Sequence, residues 1–266
     1  MDSILLPLST ALNEGAQALC QRLIASNAPD HLYEPALHAV HSHSNGYVYR
    51  VPGIKTGRIH HLLSRLEWHA FLYFEFGDYS NIREQFPVPL ELTIPLAEQM
   101  GIRHPYDWKK RRLVEMTTDF VLTKPDGSWL AIDVKPSNKL TSKRTAQKLE
   151  LINRAWAQVG ISHQIHTERE QNPIVVANYR ILHGLALKFE PTPFPQANMA
   201  KVNASLFEAL HSGHLTLREA SVICERQTGL GRGHSIRAAL WFVANQHWSV
   251  DITRPIGPDE TLNFNA

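Results

Sequence analysis

The sequence predicts an α/β chain in two parts, a helix-and-strand domain over residues 1–190 and a smaller helix-rich domain over 197–266. Three observations carry that expectation. Thr117 to Lys135 (TTDFVLTKPDGSWLAIDVK) places two β-rich runs around Pro125-Asp126-Gly127, a hairpin signal. Apolar residues recur at helical spacing on both sides of it, at Leu63, Leu66, Ala70 and Phe74 and again at Leu149, Ile152, Trp156 and Val159. Pro191-Thr-Pro-Phe-Pro195 then breaks the pattern and marks the boundary.

Taken in order, Leu8 to Ala25 reads as a helix, and Tyr47 to Val51 alternates like a short strand. Between them, His41 and His43 alternate in a turn-rich stretch, but no convergent partner points to a metal there. Ile59 to Phe76 reads as one long helix. Glu67 falls inside its apolar stripe, where a carboxylate is costly unless paired or bound to a cation. Ser64-Arg-Leu-Glu67 also fits a capping box, in which Glu67 reaches back to the helix start. The helix pattern supports cap and ligand equally.

Ile82 to Leu90 is extended and punctuated by prolines, with Gln85 on a strand beside the hairpin. Residues 91–112 read as a connection that ends in the basic run Lys109-Lys-Arg-Arg112. After the hairpin, Pro136 stops the strand, and a helix starts at Ser142 or Thr145 and runs to about Val159. His163 to His166 is a further strand, and Ile174 to Leu187 is helical in its second half.

Hairpin register is the informative part. If the turn is symmetric, Lys124 faces Ser128, Asp119 stands opposite Asp133 and Thr117 opposite Lys135. One face then collects Phe120, Leu122, Leu130, Ile132 and Val134; the other collects Asp119, Val121, Trp129, Ala131, Asp133 and Lys135. Opposed carboxylates at roughly 4.5–5.5 Å between Cβ atoms destabilise a sheet. A hard divalent cation between them removes that cost. The alternative is an ordinary antiparallel pair with one solvated face.

Composition excludes some classes. The chain is 43% hydrophobic and 20% charged, enough for a packed core. Its net charge of +2 permits nucleic-acid binding only through a local basic footprint. Lys139, Lys143, Arg144 and Lys148 supply one beside the hairpin. Cys20 and Cys224 form no zinc or disulfide pattern, no apolar run is long enough for a bilayer, and the start lacks a basic leader, so a cytoplasmic, membrane-free protein is expected.

The C-terminal part predicts helices near Met199–His211, Thr216–Thr228 and Ser235–Gln246, then extended runs at Trp248–Thr253 and Thr261–Phe264. Three helices and a two-stranded wing make a winged helix-turn-helix, with Arg232, His234, Ser235 and Arg237 at the start of its recognition helix. Such a module docks DNA or protein.

Glu67 on a helix, Asp119 on a strand and Asp133-Val-Lys135 on the next resemble the PD-(D/E)xK nucleases, the fold of type II restriction enzymes. More specifically, Lys55-Thr-Gly-Arg58, Ser64-Arg-Leu-Glu67, Arg83-Glu-Gln-Phe-Pro87, Thr118-Asp-Phe120 and Asp133-Val-Lys-Pro136, in this order, are similar to the TnsA-like endonuclease subunits of heteromeric bacterial transposases. The resemblance implies a restriction-endonuclease-like mixed sheet with flanking helices and a winged-helix-like module. It implies Mg²⁺, one or two ions with Mn²⁺ able to substitute, held by Glu67, Asp119, Asp133 and the Val134 carbonyl. Lys135 and Gln85 would act on the attacking water or the phosphate. Some members carry Gln where Asp133 stands, and the acidic residue here favours a complete metal site. Implied partners are double-stranded transposon-end DNA, a DDE recombinase (TnsB-like) and an AAA+ ATPase regulator (TnsC-like), with this chain cutting the 5′ strand. A stand-alone nuclease for restriction or junction resolution, and a non-catalytic adaptor of the same fold, are the alternatives.

Overall fold

The structure is a computed structural model that describes residues 8–26, 33–38, 47–188, 196–211 and 213–265. His41 and His43, and the proline-rich boundary at 191–195, lie outside the described residues. The chain divides into two compact units, Met1–Glu170 and Gln171–Ala266.

The first unit follows the order α1 (Leu8–Ala25), β1 (Tyr49–Pro52), β2 (Ile59–Leu62), α2 (Arg65–Phe76), β3 (Asn81–Val88), α3 (Leu90–Gln99), β4 (Tyr106–Asp107), β5 (Arg112–Leu113), β6 (Met116–Thr123), β7 (Trp129–Val134), α4 (Lys143–Ala157) and β8 (Ser162–His166). Its central sheet runs β3-β6-β7-β8. The first three strands are antiparallel, and β8 lies parallel to β7 after the α4 crossover. The sheet is therefore mixed, as expected.

Both faces of that sheet are covered. Phe120, Leu122, Leu130, Ile132 and Val134 pack under Ala70, Phe71 and Phe74 of α2. Val121 and Ala131 pack on the other face with Leu19 and Leu23 of α1, Leu92 and Leu96 of α3, and Ile152 and Trp156 of α4. The half-solvated hairpin is excluded. Helix α1 comes close to α3 because Gly15 has no side chain; a Cβ there would meet Leu92 Cα at 2.6 Å.

Two expectations fail here. Ile59–Leu62 is a strand paired with β1, Arg50 opposite His61, and the helix starts only after Ser64. Residues 91–112 are not a plain connection, because Leu90–Gln99 is helical despite Pro95. An interior proline costs a helix about 3 kcal/mol. Burial of Leu92, Leu96 and Ala97 in the core outweighs it.

Lys55-Thr-Gly-Arg58 ties this corner together. Lys55 Nζ donates to Gly77 O (2.9 Å) and Tyr79 O (2.7 Å), closing the end of α2. Arg58 makes a two-pronged pair with the buried Glu84 carboxylate at 2.9 and 2.6 Å, and His60 Nδ1 reaches the same group at 2.7 Å. Burial alone would raise the Glu84 pKa, but His60 and Arg58 hold it down at about 2.

The second unit contains α5 (Pro173–Lys188), α6 (Gln196–His211), α7 (Leu217–Thr228) and α8 (His234–Ala244). Helix α5 is helical throughout and belongs here, not with the first domain. Its Asn178 donates to Ile252 O (2.9 Å) and Arg254 O (2.7 Å) and accepts from Ile256 N (3.1 Å). The expected wing is a single antiparallel bridge, Val250 with Phe264. Arg232 and Arg237 are exposed at the start of α8, but Ser235 is fully buried and bonds Glu225 Oε1 at 2.8 Å, so it faces no ligand. Among the described residues, no helix is long and apolar enough to cross a membrane.

Candidate active site

The β6–β7 hairpin keeps the predicted register from Thr123–Trp129 to Phe120–Ile132. Its turn is closed by Lys124 N to Ser128 O (2.8 Å) and by Gly127 N to Lys124 O (2.9 Å), with Gly127 at φ 80. One step beyond the last pair, Asp119 leaves the ladder, and its Oδ2 accepts the Val134 N–H at 2.7 Å. Thr117 does not reach Lys135 but pairs with Pro87 of β3, while Lys135 N bonds His166 O of the β8 strand. The strands splay where the acidic residues begin.

Lys135 fills the gap. Its Nζ lies 2.7 Å from Asp119 Oδ2, 3.1 Å from the Val134 carbonyl and 3.8 Å from Asp133 Oδ1. Burial would lower the lysine pKa, but Asp119 and Asp133 raise it, so the ammonium stays charged. Burial pushes Asp119 up, aided by the charge of Asp133 and opposed by Lys135.

Glu67 arrives from α2. Ser64 caps that helix by accepting Glu67 N–H at 3.1 Å, and Glu67 accepts in return from Ser64 Oγ (2.9 Å) and Leu63 N (2.8 Å). The Ser64 cap therefore holds, but Glu67 reaches back to the Leu63 N–H and the Ser64 hydroxyl and not to the N-cap N–H that the expected capping box uses. The same carboxylate lines a cavity of about 630 Å³ with Gln85, Asp119, Asp133 and Lys135. Burial and then Asp119 raise its pKa to about 7. Cap and cavity group are one side chain.

Gln85 sits on β3 beside the hairpin. Its neighbours pair as Glu84–Phe120 and Phe86–Thr118, which leaves Gln85 opposite Asp119 but out of the ladder. Its backbone is left-handed, φ 49, and its carbonyl accepts from Ala36 N instead (3.1 Å). A non-glycine residue there is strained by about 1–3 kcal/mol. The twist aims its side-chain Nε2 at Glu67 Oε2 (3.2 Å) and lets Thr117 Oγ1 donate to its side-chain Oε1 (3.3 Å).

Of the basic residues, Lys139 and Lys148 line the cavity. Lys143 and Arg144 occupy the first turn of α4 behind the Ser142 cap, and Arg144 Nη1 donates to Arg103 O at 2.7 Å. Cations at a helix N-terminus oppose the macrodipole unless an anion is present.

Sequence reasoning did not single out His163. It is a half-buried residue of β8, its side chain 3% exposed, with Nε2 2.8 Å from Asp133 Oδ2. Its only sequence signal is strand parity, because the β7–β8 pairing sets Asp133 opposite Ile165 and not opposite His163.

Among the described residues, no three His, Cys, Asp or Glu side chains converge in a preformed metal cluster. The donors nonetheless suit a hard cation: three buried carboxylates and a backbone carbonyl, all oxygen, against one lysine.

Residues 78–168 match the family model described as TnsA-like endonuclease N terminal. Residues 78–168 are thus similar to the N-terminal domain of TnsA-like endonucleases. That segment holds Gln85, Asp119, Asp133, Lys135 and His163; Glu67 precedes it. The chain is also 40% identical over 156 residues to the Transposon Tn7 transposition protein TnsA of Escherichia coli, covering 58% of this chain and 56% of that protein. It thus spans a little over half the length of this relative.

Proposed function

We propose that this chain is the metal-dependent endonuclease subunit of a heteromeric transposase, cutting the 5′ strand at transposon ends in cut-and-paste transposition. The observation that carries the reading is that Glu67, Asp119, Asp133 and Lys135 line one cavity together with Lys139 and Lys148. The likeness to a transposition protein supplies the biological setting.

In this reading Glu67, Asp119, Asp133 and the Val134 carbonyl would hold one or two Mg²⁺. The ion, when bound, supplies Lewis-acid neutralisation of phosphate charge. Lys135 places a permanent positive charge beside the carboxylates, where it stabilises charge developing on the phosphate and orients the attacking water. Gln85 holds Glu67 and accepts from Thr117, fixing the cavity wall. Lys139 and Lys148 steady the flanking phosphates. Water attacks phosphorus as the bond to the 3′ oxygen breaks, leaving a 5′-phosphate and a 3′-hydroxyl. The second unit, read as a winged-helix-like module, contacts DNA or a partner through Arg232 and Arg237, both exposed. A DDE recombinase that cuts the 3′ strand and an AAA+ ATPase complete the assembly.

The test mixes the chain with a TnsB-like DDE recombinase and a strand-labelled transposon-end duplex, with and without Mg²⁺. Metal-dependent 5′-strand cuts that appear only with the recombinase are expected. Efficient site-specific double-strand cleavage by the lone chain would instead favour a restriction-like nuclease, and absence of cutting in every mixture would favour a scaffold.

A further inference from the structure

Strands β4 and β5 form a small hairpin, Tyr106 opposite Leu113 and Asp107 opposite Arg112. The Val114 N–H to Pro105 O bond, 3.0 Å, lengthens its stem. Pro105 and Val114 line the candidate catalytic cavity, so the hairpin rises from the cavity edge. Its tip carries Trp108, 76% exposed, and Lys109, Lys110, Arg111 and Arg112, all exposed. Among the described residues none of these four cations makes an ion pair.

The tip is held in shape. Asp107 Oδ1 accepts the Lys109 N–H at 2.9 Å and the Lys110 N–H at 3.1 Å. Arg111 takes a left-handed φ of 51, and the Trp108 ring meets Tyr106 edge-on at 4.8 Å. A large ring presented to water on a fixed turn serves no core, and the hairpin's one carboxylate, Asp107, leaves the four clustered cations in net excess, so that they repel one another. Arg144 bonds Arg103 O, three residues before the hairpin, so the cations of the tip continue through α4 to Lys148 in the cavity. A basic track of that extent fits a polyanion better than a short acidic peptide.

We propose that the Tyr106–Leu113 hairpin is a DNA-binding arm, its four cations on phosphates that flank the scissile one and Trp108 stacked on a neighbouring base. The inference rests on the nuclease reading for its choice of DNA. Cationic phosphate contacts and aromatic stacking have separable signatures, because only the first depends steeply on salt.

The experiment measures binding of the full-length chain to a fluorescent 30-base-pair duplex in EDTA, by anisotropy over a range of salt. The K109A/K110A/R111A/R112A variant should bind more weakly, with the slope of log K against log salt reduced by about three to four. Trp108→Ala should lose roughly tenfold in affinity with the slope unchanged, and Trp108→Phe should keep most of it. All these side chains are exposed, so thermal melting should match wild type and exclude misfolding. If either the basic variant or Trp108→Ala binds with wild-type affinity and slope, the arm is overturned and an acidic protein surface becomes its remaining occupant. Metal-dependent cutting is scored separately: its absence would sink the nuclease reading, while weakened binding by the arm variants would still uphold the arm.

Discussion

His163 Nε2 and Asp133 Oδ2 stand 2.8 Å apart, joining the edge strand β8 to the carboxylate at the end of β7. The contact fixes which Asp133 oxygen remains to face Lys135 and the cavity. Partners that orient a metal-binding carboxylate typically matter by 10–100-fold in affinity or activity. His163→Ala should therefore raise the Mg²⁺ concentration for half-maximal cleavage by roughly that factor. It should also shrink the Mg²⁺-induced rise in melting temperature, and His163→Gln should recover part of both. Unchanged metal titrations would reduce His163 to packing.

Lys135→Ala removes the ammonium that bridges Asp119 and Asp133. DNA binding should persist while cleavage falls by about 10²–10³-fold or more, the scale of one lost transition-state donor. Without metal the variant should melt lower than wild type, since two buried carboxylates lose their counter-charge, and millimolar Mg²⁺ should narrow the gap. Near-normal cutting rates would remove Lys135 from the chemistry.

Glu67 is both cap and cavity group, and two substitutions separate the roles. Glu67→Gln keeps an oxygen for Leu63 N–H, and the Ser64 hydroxyl can turn to accept from the new amide. Its metal-free stability should match wild type or exceed it, because burial and Asp119 already disfavour the charge, yet cleavage should collapse. Glu67→Ala should in addition cost about 1 kcal/mol, the scale of a lost cap. A Gln variant that cuts normally would leave only the cap.

Gln85 offers a trade between stability and activity. Gln85→Gly relieves the left-handed backbone, whereas Gln85→Ala keeps the strain; both lose the link from Glu67 to Thr117. Denaturant titration should find the glycine variant more stable than the alanine variant by about 1 kcal/mol, with cleavage impaired in both. Equal stabilities would mean that the φ of 49 carries no strain.

Glu84 sets an acid limit. Its folded pKa of about 2 lies below its ordinary 4.5, because His60 and Arg58 outweigh the burial that would raise it. A depressed carboxylate contributes stability that is complete above the unfolded value and is lost as pH falls from 4.5 toward 2. Glu84→Gln should be strongly destabilised at pH 7, and its stability should fall less than that of wild type across this window. Parallel acid limbs for the two proteins would contradict the assignment.

Much of this was legible locally. Pro125-Asp126-Gly127 specifies a symmetric turn, and the β6–β7 register follows from it because side chains alternate faces from a fixed origin. Ser64 and Glu67 announce a helix start through bonds that span three residues. The same signal argued against a helix beginning at Ile59, but Ile59–Leu62 is apolar enough to read either way. Only pairing with Tyr49–Pro52 makes it a strand. Pro95 hid α3, because a proline is a local veto and the burial that overrides it comes from α1, about 75 residues earlier.

The sequence by itself singled out the residues proposed for the chemistry, Glu67, Asp119, Asp133 and Lys135, each on or beside an element with a readable period. Tertiary structure decided how they meet. It turned Gln85 out of its ladder toward Glu67, brought His163 to Asp133 through a parallel crossover, and raised the β4–β5 hairpin at the cavity edge. Turns and caps form within a few residues and leave a local imprint. Contacts across a crossover depend on packing that no short window of sequence contains.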